Sequence, residues 1–280
     1  MDLSAYLARL GLNVPPAATA DGVASLQRAH RAAIGFENLD VRLGRGIRID
    51  TESVHDKLVS RRRGGYCFEH NRLYAEALRL LGVEARPLLA RVRLGMAPGV
   101  TPPRTHVCLL LTLEQRPWIA DAGFGGSNLP PLPLLHGAKA NTSDGARHRL
   151  LRVGGSGDLD GEWRLERAGP AQATDGRAAD HLDWQVQYTF DLAHVAPDDL
   201  EQANHWTSTR RGTRFTTLHV VSIPIEDGFA TMTDRELTIY RVSGAERRTI
   251  ATAAEYATVL RDVFRIELSE DEAARLPLFA

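Results

Sequence analysis

The chain has 280 residues, 43% hydrophobic and 25% charged, with 34 Lys and Arg against 35 Asp and Glu and a net charge of −1. Such a length buries a substantial core and divides into two or three subdomains, and the balanced charge excludes a nucleic-acid footprint, which needs a marked basic excess. No apolar run is long enough for a bilayer, the N-terminus lacks a signal-peptide pattern, and two cysteines make no disulfide framework, so a reducing cytoplasm is the expected location.

Helical spacing opens the chain. Leu3 to Leu10 ends at Gly11, and Gly22 to Ile34 places Leu26, Ala29 and Ala33 on one face. A basic run, Arg61-Arg62-Arg63, then leads into Gly64-Gly65-Tyr66-Cys67-Phe68-Glu69-His70-Asn71. The two glycines are expected to adopt conformations closed to other residues and to leave room for a substrate. From Cys67 to Leu81 the pattern is again helical and stops at Gly82. Cys67 therefore sits at a helix N-terminus, where unpaired N–H groups and the macrodipole favour a thiolate, the form that attacks carbonyl carbon. Asn71, Tyr74, Leu78 and Leu81 share its stripe, so the thiol is expected to face inward. One of the three arginines is expected to pair with a buried acid nearby, with Glu37 as the candidate.

The period changes near Val83. Strands are predicted at Ala85 to Leu94, Thr105 to Leu113, Trp118 to Ala122, Arg149 to Val153 and Trp184 to Phe190. Gly95 to Pro103 and Gly137 to Gly145 read as loops. Several short strands separated by turns suggest a small barrel or sandwich. Pro197 to Trp206 reads as a linking helix with Asp198 and Asp199 in its first turn. Strands near Phe215 to Ile225 and Glu236 to Val242, then a helix from Ala253 to Phe264, close the chain.

A cysteine nucleophile wants an imidazole to take its proton and a third group to orient that imidazole. His106 opens one predicted strand. Asp121 interrupts the next, after Trp118-Ile119-Ala120 and before Gly123, where a buried carboxylate needs a hydrogen-bonded partner. The two side chains share a face if the strands form a hairpin with an even loop, for example Leu113 paired with Arg116. Cys108, within Val107 to Leu111, reads as packing. A competing reading takes Cys67, His70, His106 and Cys108 as a structural zinc set, although the second pair has only one residue between its ligands.

These segments resemble those of the arylamine N-acetyltransferases. The residues that carry the likeness are Phe36-Glu37-Asn38-Leu39-Asp40, Arg62 to Asn71, Thr105-His106, Asp121-Ala122-Gly123-Phe124-Gly125-Gly126, and Trp206-Thr207-Ser208-Thr209 with Phe215. They keep the family's order over about residues 1 to 220. The resemblance implies an α+β protein with a cysteine-protease-like Cys-His-Asp site. A helical domain at 1–84 would carry the nucleophile, an antiparallel β-barrel at 85–195 the histidine and aspartate, and 196–280 would form a linking helix and an α/β lid. It implies a ping-pong enzyme in which Cys67 takes an acetyl group from acetyl-CoA and passes it to an arylamine, arylhydrazine or N-hydroxyarylamine. His106 would act as base and Asp121 would orient it. Phe36, Thr105, Phe124 and Phe215 would line the acceptor pocket, where aromatic walls suit a flat amine. Gly125, Gly126, Ser208, Thr209, Arg210 and Arg211 would contact CoA. Acetyl-CoA would be a cosubstrate, with no metal or tightly bound cofactor.

One departure is that the family's usual His-Pro after Ser-Thr is replaced by Arg210-Arg211, read either as phosphate partners or as a solvated basic loop. A papain- or transglutaminase-like thiol hydrolase, and the amide synthases of the same family, would use the same three residues.

Overall fold

The computed structural model describes every residue except 98, 172, 173, 176, 178–180, 242 and 280. Helix α1 (Leu3–Arg9) begins at Asp2, whose carboxylate accepts the Ala5 N–H, and α2 (Ala20–Ala33) begins at Thr19, whose hydroxyl accepts the Gly22 N–H. The short strand β1 (Phe36–Glu37) is followed by α3 (Leu39–Arg42), α4 (Thr51–His55), a π-helical turn at Asp56–Ser60, and α5 (Cys67–Leu80). Gly82 ends α5 with φ 81°, the left-handed conformation expected past a helix C-terminus. The apolar faces of these helices meet one another and one face of the following sheet, so Leu26, Val54, Tyr74 and Leu78 share a core with Leu109 and Leu111.

That sheet contains β2 (Glu84–Val92), β3 (His106–Leu113), β4 (Arg116–Ala120), β5 (Leu132–Pro133), β6 (Lys139–Asn141), β7 (Arg147–Arg152), β8 (Trp163–Gly169) and β9 (His181–Phe190). Its order is β5-β4-β3-β2-β9-β8-β7-β6, antiparallel throughout, and it curls into a barrel-like form. Its inward side chains, among them Leu88, Cys108, Leu165, Tyr188 and Phe190, make a second core.

Helices α6 (Pro197–Thr209) and α7 (Arg214–Thr217) lead to β10 (Val220–Ile225), β11 (Gly228–Thr233), β12 (Glu236–Arg241) and β13 (Gly244–Thr249), then α8 (Ala253–Asp262) and α9 (Glu270–Ala274). The second sheet runs β1-β10-β11-β12-β13, so a strand from the helical first third forms its edge. The protein is therefore α+β, with helices packed on two antiparallel sheets.

Several details depart from the sequence reading: β6 forms inside the segment read as a loop from Gly137 to Gly145, and β5, β11 and β13 were not anticipated. Phe215 lies in α7 and the strand starts only at Val220. The Thr216 hydroxyl accepts the Thr213 N–H at 3.2 Å and closes a helical turn, while Asn38 Nδ2 donates to the Phe215 and Leu218 carbonyls at 2.8 Å each. Strand β8 is an addition, hidden in the sequence by Arg164, Glu166 and Arg167, although Glu166 and Arg167 are buried. The strand predicted to reach Val242 ends at Arg241, and Val242 lies outside the described residues.

Candidate active site

The β3–β4 hairpin turns on Glu114 and Gln115, both left-handed with φ 52° and 62°, and pairs Leu113 with Arg116. This even, two-residue loop is the register that alternation requires for His106 and Asp121 to share a face. His106 Nε2 stands 2.7 Å from Asp121 Oδ2. The other ring nitrogen is left free of Asp121, and the Cys67 thiol lies near enough to the imidazole to favour its charged form. The thiol also reaches the Thr105 carbonyl, at 3.6 Å. Cys67 is 3% exposed, and His106 and Asp121 are 2% exposed. The structure thus brings these three residues together.

Charge at the centre follows from these contacts. Burial opposes a charged imidazole, but the Asp121 carboxylate and the Cys67 contact outweigh it and push His106 up to about 10. Burial would raise Asp121, yet His106, Asn71 and the Gly123 N–H hold it below the usual carboxylate range. Asn71 Nδ2 donates to Asp121 Oδ1 at 2.9 Å and to the Val107 carbonyl at 2.7 Å, and its Oδ1 accepts the Ala122 N–H at 3.0 Å. The Gly123 N–H reaches Asp121 Oδ1 at 2.9 Å.

The glycines of this region serve close approach. Gly64 and Gly65 are absent from the left-handed region, contrary to the expectation from sequence. A Cβ on Gly64 would lie 2.2 Å from the Gly35 carbonyl oxygen, and one on Gly65 would meet the Glu69 side chain at 2.8 Å. At Gly123 a Cβ would stand 2.8 Å from Cys67 Cα, which is how the aspartate turn and the start of α5 come into contact.

Two residues of α2 that sequence reasoning missed hold this turn from behind. Gln27 Oε1 accepts the Asp121 N–H at 3.0 Å, and its Nε2 donates to the Leu129 carbonyl at 2.6 Å. One helical turn later, Arg31 Nη2 donates to the Phe124 and Ser127 carbonyls at 3.0 and 2.5 Å. Their i, i+4 spacing was visible, but nothing local said that this face meets a turn about a hundred residues away.

Beneath the nucleophile lies a buried ionic network. Arg63 Nη2 contacts Glu37 Oε1 at 2.7 Å and Asp40 Oδ1 at 3.2 Å, which makes Glu37 the partner anticipated for the arginine run. Lys57 Nζ joins Asp40 at 2.8 Å and Glu69 at 2.7 Å. The second oxygen of Glu69 accepts the Tyr66 N–H at 3.0 Å, so this carboxylate ties the network to the first turn of α5. Burial alone would raise Asp40, but Lys57 and Arg63 bring it down to about 2.

Phe36 stacks parallel to His70 with centroids 6.2 Å apart and tilts against Phe215 at 5.9 Å. Both phenylalanines share an apolar cluster with Cys67. Phe124 sets its ring edge to face with His106 at 5.4 Å. A crevice of about 370 Å³, bounded by Pro103, Arg104 and Trp206, opens beside the Thr105 segment. Of the residues read as CoA contacts, Gly125 packs under the Phe36 ring, where a Cβ would come within 2.6 Å, and Gly126 is buried in the same turn. Ser208 and Thr209 commit their hydroxyls to α6 carbonyls, at 2.8 Å to Asn204 and 2.6 Å to His205. Arg210 and Arg211 are exposed just beyond that helix.

The zinc reading is not assembled. His70 uses Nδ1 toward His30 at 2.8 Å and Nε2 toward the Gly35 carbonyl at 3.3 Å, while His106 Nε2 is engaged by Asp121. Cys108 points into the barrel core. No three metal-ligating side chains gather among the described residues.

The sequence matches the N-acetyltransferase family profile over residues 19–273. It is 35% identical over 271 residues to the arylamine N-acetyltransferase of Escherichia coli, covering 96% of this chain and 90% of that protein. It is 38% identical over 206 residues to the arylamine N-acetyltransferase / N-hydroxyarylamine O-acetyltransferase of Salmonella typhimurium, covering 74% and 67%. The fold superposes on the arylamine N-acetyltransferase structure from Salmonella typhimurium with a TM-score of 0.86 at 33% identity, over 98% of this chain and 97% of that one. It superposes on the Mycobacterium marinum arylamine N-acetyltransferase in complex with CoA with a TM-score of 0.83 at 32% identity, over 98% of each. With identity above 30% across nearly the whole length, and with sequence and fold in agreement, the chain belongs to the arylamine N-acetyltransferase family.

Proposed function

We propose that the enzyme acetylates arylamines, arylhydrazines and N-hydroxyarylamines by a ping-pong route through a thioester on Cys67, with acetyl-CoA as the acyl donor. The observation that carries this reading is the buried imidazole of His106, held between the thiol at the start of α5 and the Asp121 carboxylate. In the first half-reaction the thiol proton rests on His106 as Cys67 Sγ attacks the acetyl carbonyl carbon, and the CoA sulfur leaves with that proton. In the second, the amine nitrogen attacks the thioester, His106 accepts its proton, and the Cys67 sulfur is released. Asp121 keeps the ring oriented and stabilises its positive charge in both halves. Phe36, Phe124, Phe215 and Thr105 bound the acceptor space, a reading supported by their packing around Cys67 and His106.

Domain boundaries near residues 84 and 195, with 196–280 acting as a lid, belong to the same proposal. They are supported by the change from helices to the first sheet and then to α6 and the second sheet. Gly125, Gly126, Ser208 and Thr209 remain proposed CoA contacts. The exposure of Arg210 and Arg211 supports a role in meeting the CoA phosphates. The double variant Arg210→Ala, Arg211→Ala is expected to raise the KM for acetyl-CoA with little change in kcat, and an unchanged KM would return these arginines to a solvated loop.

The decisive experiment is intact and peptide mass spectrometry after mixing the protein with acetyl-CoA and no amine. An acetyl group on Cys67 that an arylamine then removes is the expected result. A soluble, thiol-reactive protein that takes no acetyl group would reject acetyl-CoA as its donor.

A further inference from the structure

Arg31 is a buried cation with no directly paired counter-ion among the described residues; Asp121 and Asp144 favour its charge only from beyond ion-pairing distance. It is 6% exposed. Burial draws it down to about 10, which still leaves it cationic at neutral pH. Nη2 is occupied by two carbonyls, but Nη1 has no hydrogen-bond partner among the described residues. No carboxylate among those residues lies within ion-pairing distance of the guanidinium. A buried cation without a directly paired counter-ion is costly, and such groups recur where an anion is bound.

A crevice of about 680 Å³ lies against Arg31, between α2, the Asn128–Pro131 segment and the second sheet. Its lining is cationic. Arg28 and Arg265 are exposed and make no side-chain hydrogen bond or ion pair among the described residues, while Arg241 is paired with Asp227 at 2.5 Å. Of the two acids in the lining, Asp262 holds Arg261 at 2.9 Å, which leaves Glu226 to oppose the two free guanidinium groups of Arg28 and Arg265 and the buried charge of Arg31. Leu129, Pro130, Ile223 and Ile239 supply apolar wall.

We propose that this crevice binds a small organic anion, a carboxylate on an apolar body, with Arg31 at its floor and Arg28 and Arg265 at its mouth. The free guanidinium groups of Arg28 and Arg265 can each take a carboxylate through two parallel hydrogen bonds, Arg31 adds its positive charge from the floor, and the apolar wall accepts the remainder of the molecule. The volume falls in the range of small-molecule sites, which favour junctions between packed units. None of Cys67, His106 and Asp121 lines the crevice; it meets the catalytic array only through Gln27 and Arg31. The proposal therefore stands or falls apart from the acyl-transfer reading.

The test is isothermal titration of the full chain with octanoate, which has no amine to acetylate, and with the uncharged octanamide. One octanoate per chain is expected, with octanamide weaker by about tenfold or more, as loss of a charge-assisted pair implies. Arg31→Met is expected to lose binding but also loosens the glycine turn, so the localising variant is Arg28→Ala, Arg265→Ala. That variant should bind octanoate about tenfold more weakly while its acyl transfer without octanoate is unchanged. No binding at millimolar octanoate, equal binding of octanamide, or undiminished binding by the double variant would each overturn the proposal.

Discussion

Asp121 accepts hydrogen bonds from His106, Asn71 and the Gly123 N–H, and so keeps its charge in a place where burial alone would neutralise it. An asparagine would keep the shape while removing the charge that holds the imidazolium and the acceptor that sets its tautomer. Asp121→Asn is therefore expected to lower kcat/KM for acyl transfer by about 10⁴, as in the analogous change in a serine triad. Steady-state kinetics check this, with a cooperative urea transition showing that the variant is folded. The likeness of this position to a catalytic aspartate was legible from its placement between an apolar strand and a glycine turn. Its hydrogen bond to Gln27 was not, because that bond joins residues 94 apart in the chain.

At the level of elements, α5 is held from below by buried charge. Lys57, in the π-helical turn, bridges Asp40 and Glu69, and Glu69 in turn accepts the Tyr66 N–H at the start of the nucleophile helix. Removing one member of a buried ionic set leaves its partners desolvated and unpaired. Lys57→Met is expected to destabilise the fold by about 3–5 kcal/mol, measured by urea unfolding. A loss below about 1 kcal/mol, the worth of an exposed pair, would show the network to be dispensable. Helix α5 and its stop at Gly82 were readable, because capping acts over a few residues, whereas side-chain alternation allowed the β3–β4 register without fixing it and the structure chose it. Strand β8 and helix α7 were misread for the complementary reason. In the first, Arg164, Glu166 and Arg167 interrupt the apolar pattern, and buried Glu166 is paired by Arg149 of the neighbouring strand; in the second, Asn38 fixes the Phe215 and Leu218 carbonyls from far away in the chain.

Across the whole molecule, buried histidines shape the pH response. Tyr6 Oη donates to His30 Nδ1, His30 Nε2 to His70 Nδ1, and His70 Nε2 to the Gly35 carbonyl, a directional chain in which both rings are neutral. Burial holds His30 well below its ordinary value, His70 at about 4 and His148 at about 3. Below about pH 6.5 the unfolded chain binds protons that these folded rings refuse, so stability falls as pH drops from there toward 4. His106 acts in the opposite sense. Its folded value of about 10 lies above the unfolded one, so its contribution is complete below about pH 6.5 and is lost as pH rises toward 10. Stability from these four groups is therefore expected to peak near pH 6.5. Urea unfolding across pH 4 to 10 checks this, and a curve flat from 4 to 7 would show that the histidine chain is broken in solution. No helix among the described residues is long and apolar enough to cross a membrane.

Read alone, the chain determined a cysteine at the start of an inward-facing helix and a second cysteine buried as packing, and it permitted without fixing a histidine and an aspartate on one face of a hairpin. Each of these rests on a local rule: helix periodicity, strand alternation, or the conformation a turn demands. The tertiary structure decided the rest. It carries β1 from the helical third to the edge of the second sheet, and sets Gln27 and Arg31 behind the glycine turn. It also gathers five charged residues under the nucleophile helix and leaves Arg31 beside a cationic crevice. These features depend on surfaces far apart in sequence becoming complementary when packed. Desolvation then sets the charge and partners of every group caught between them, and no short-range pattern records it.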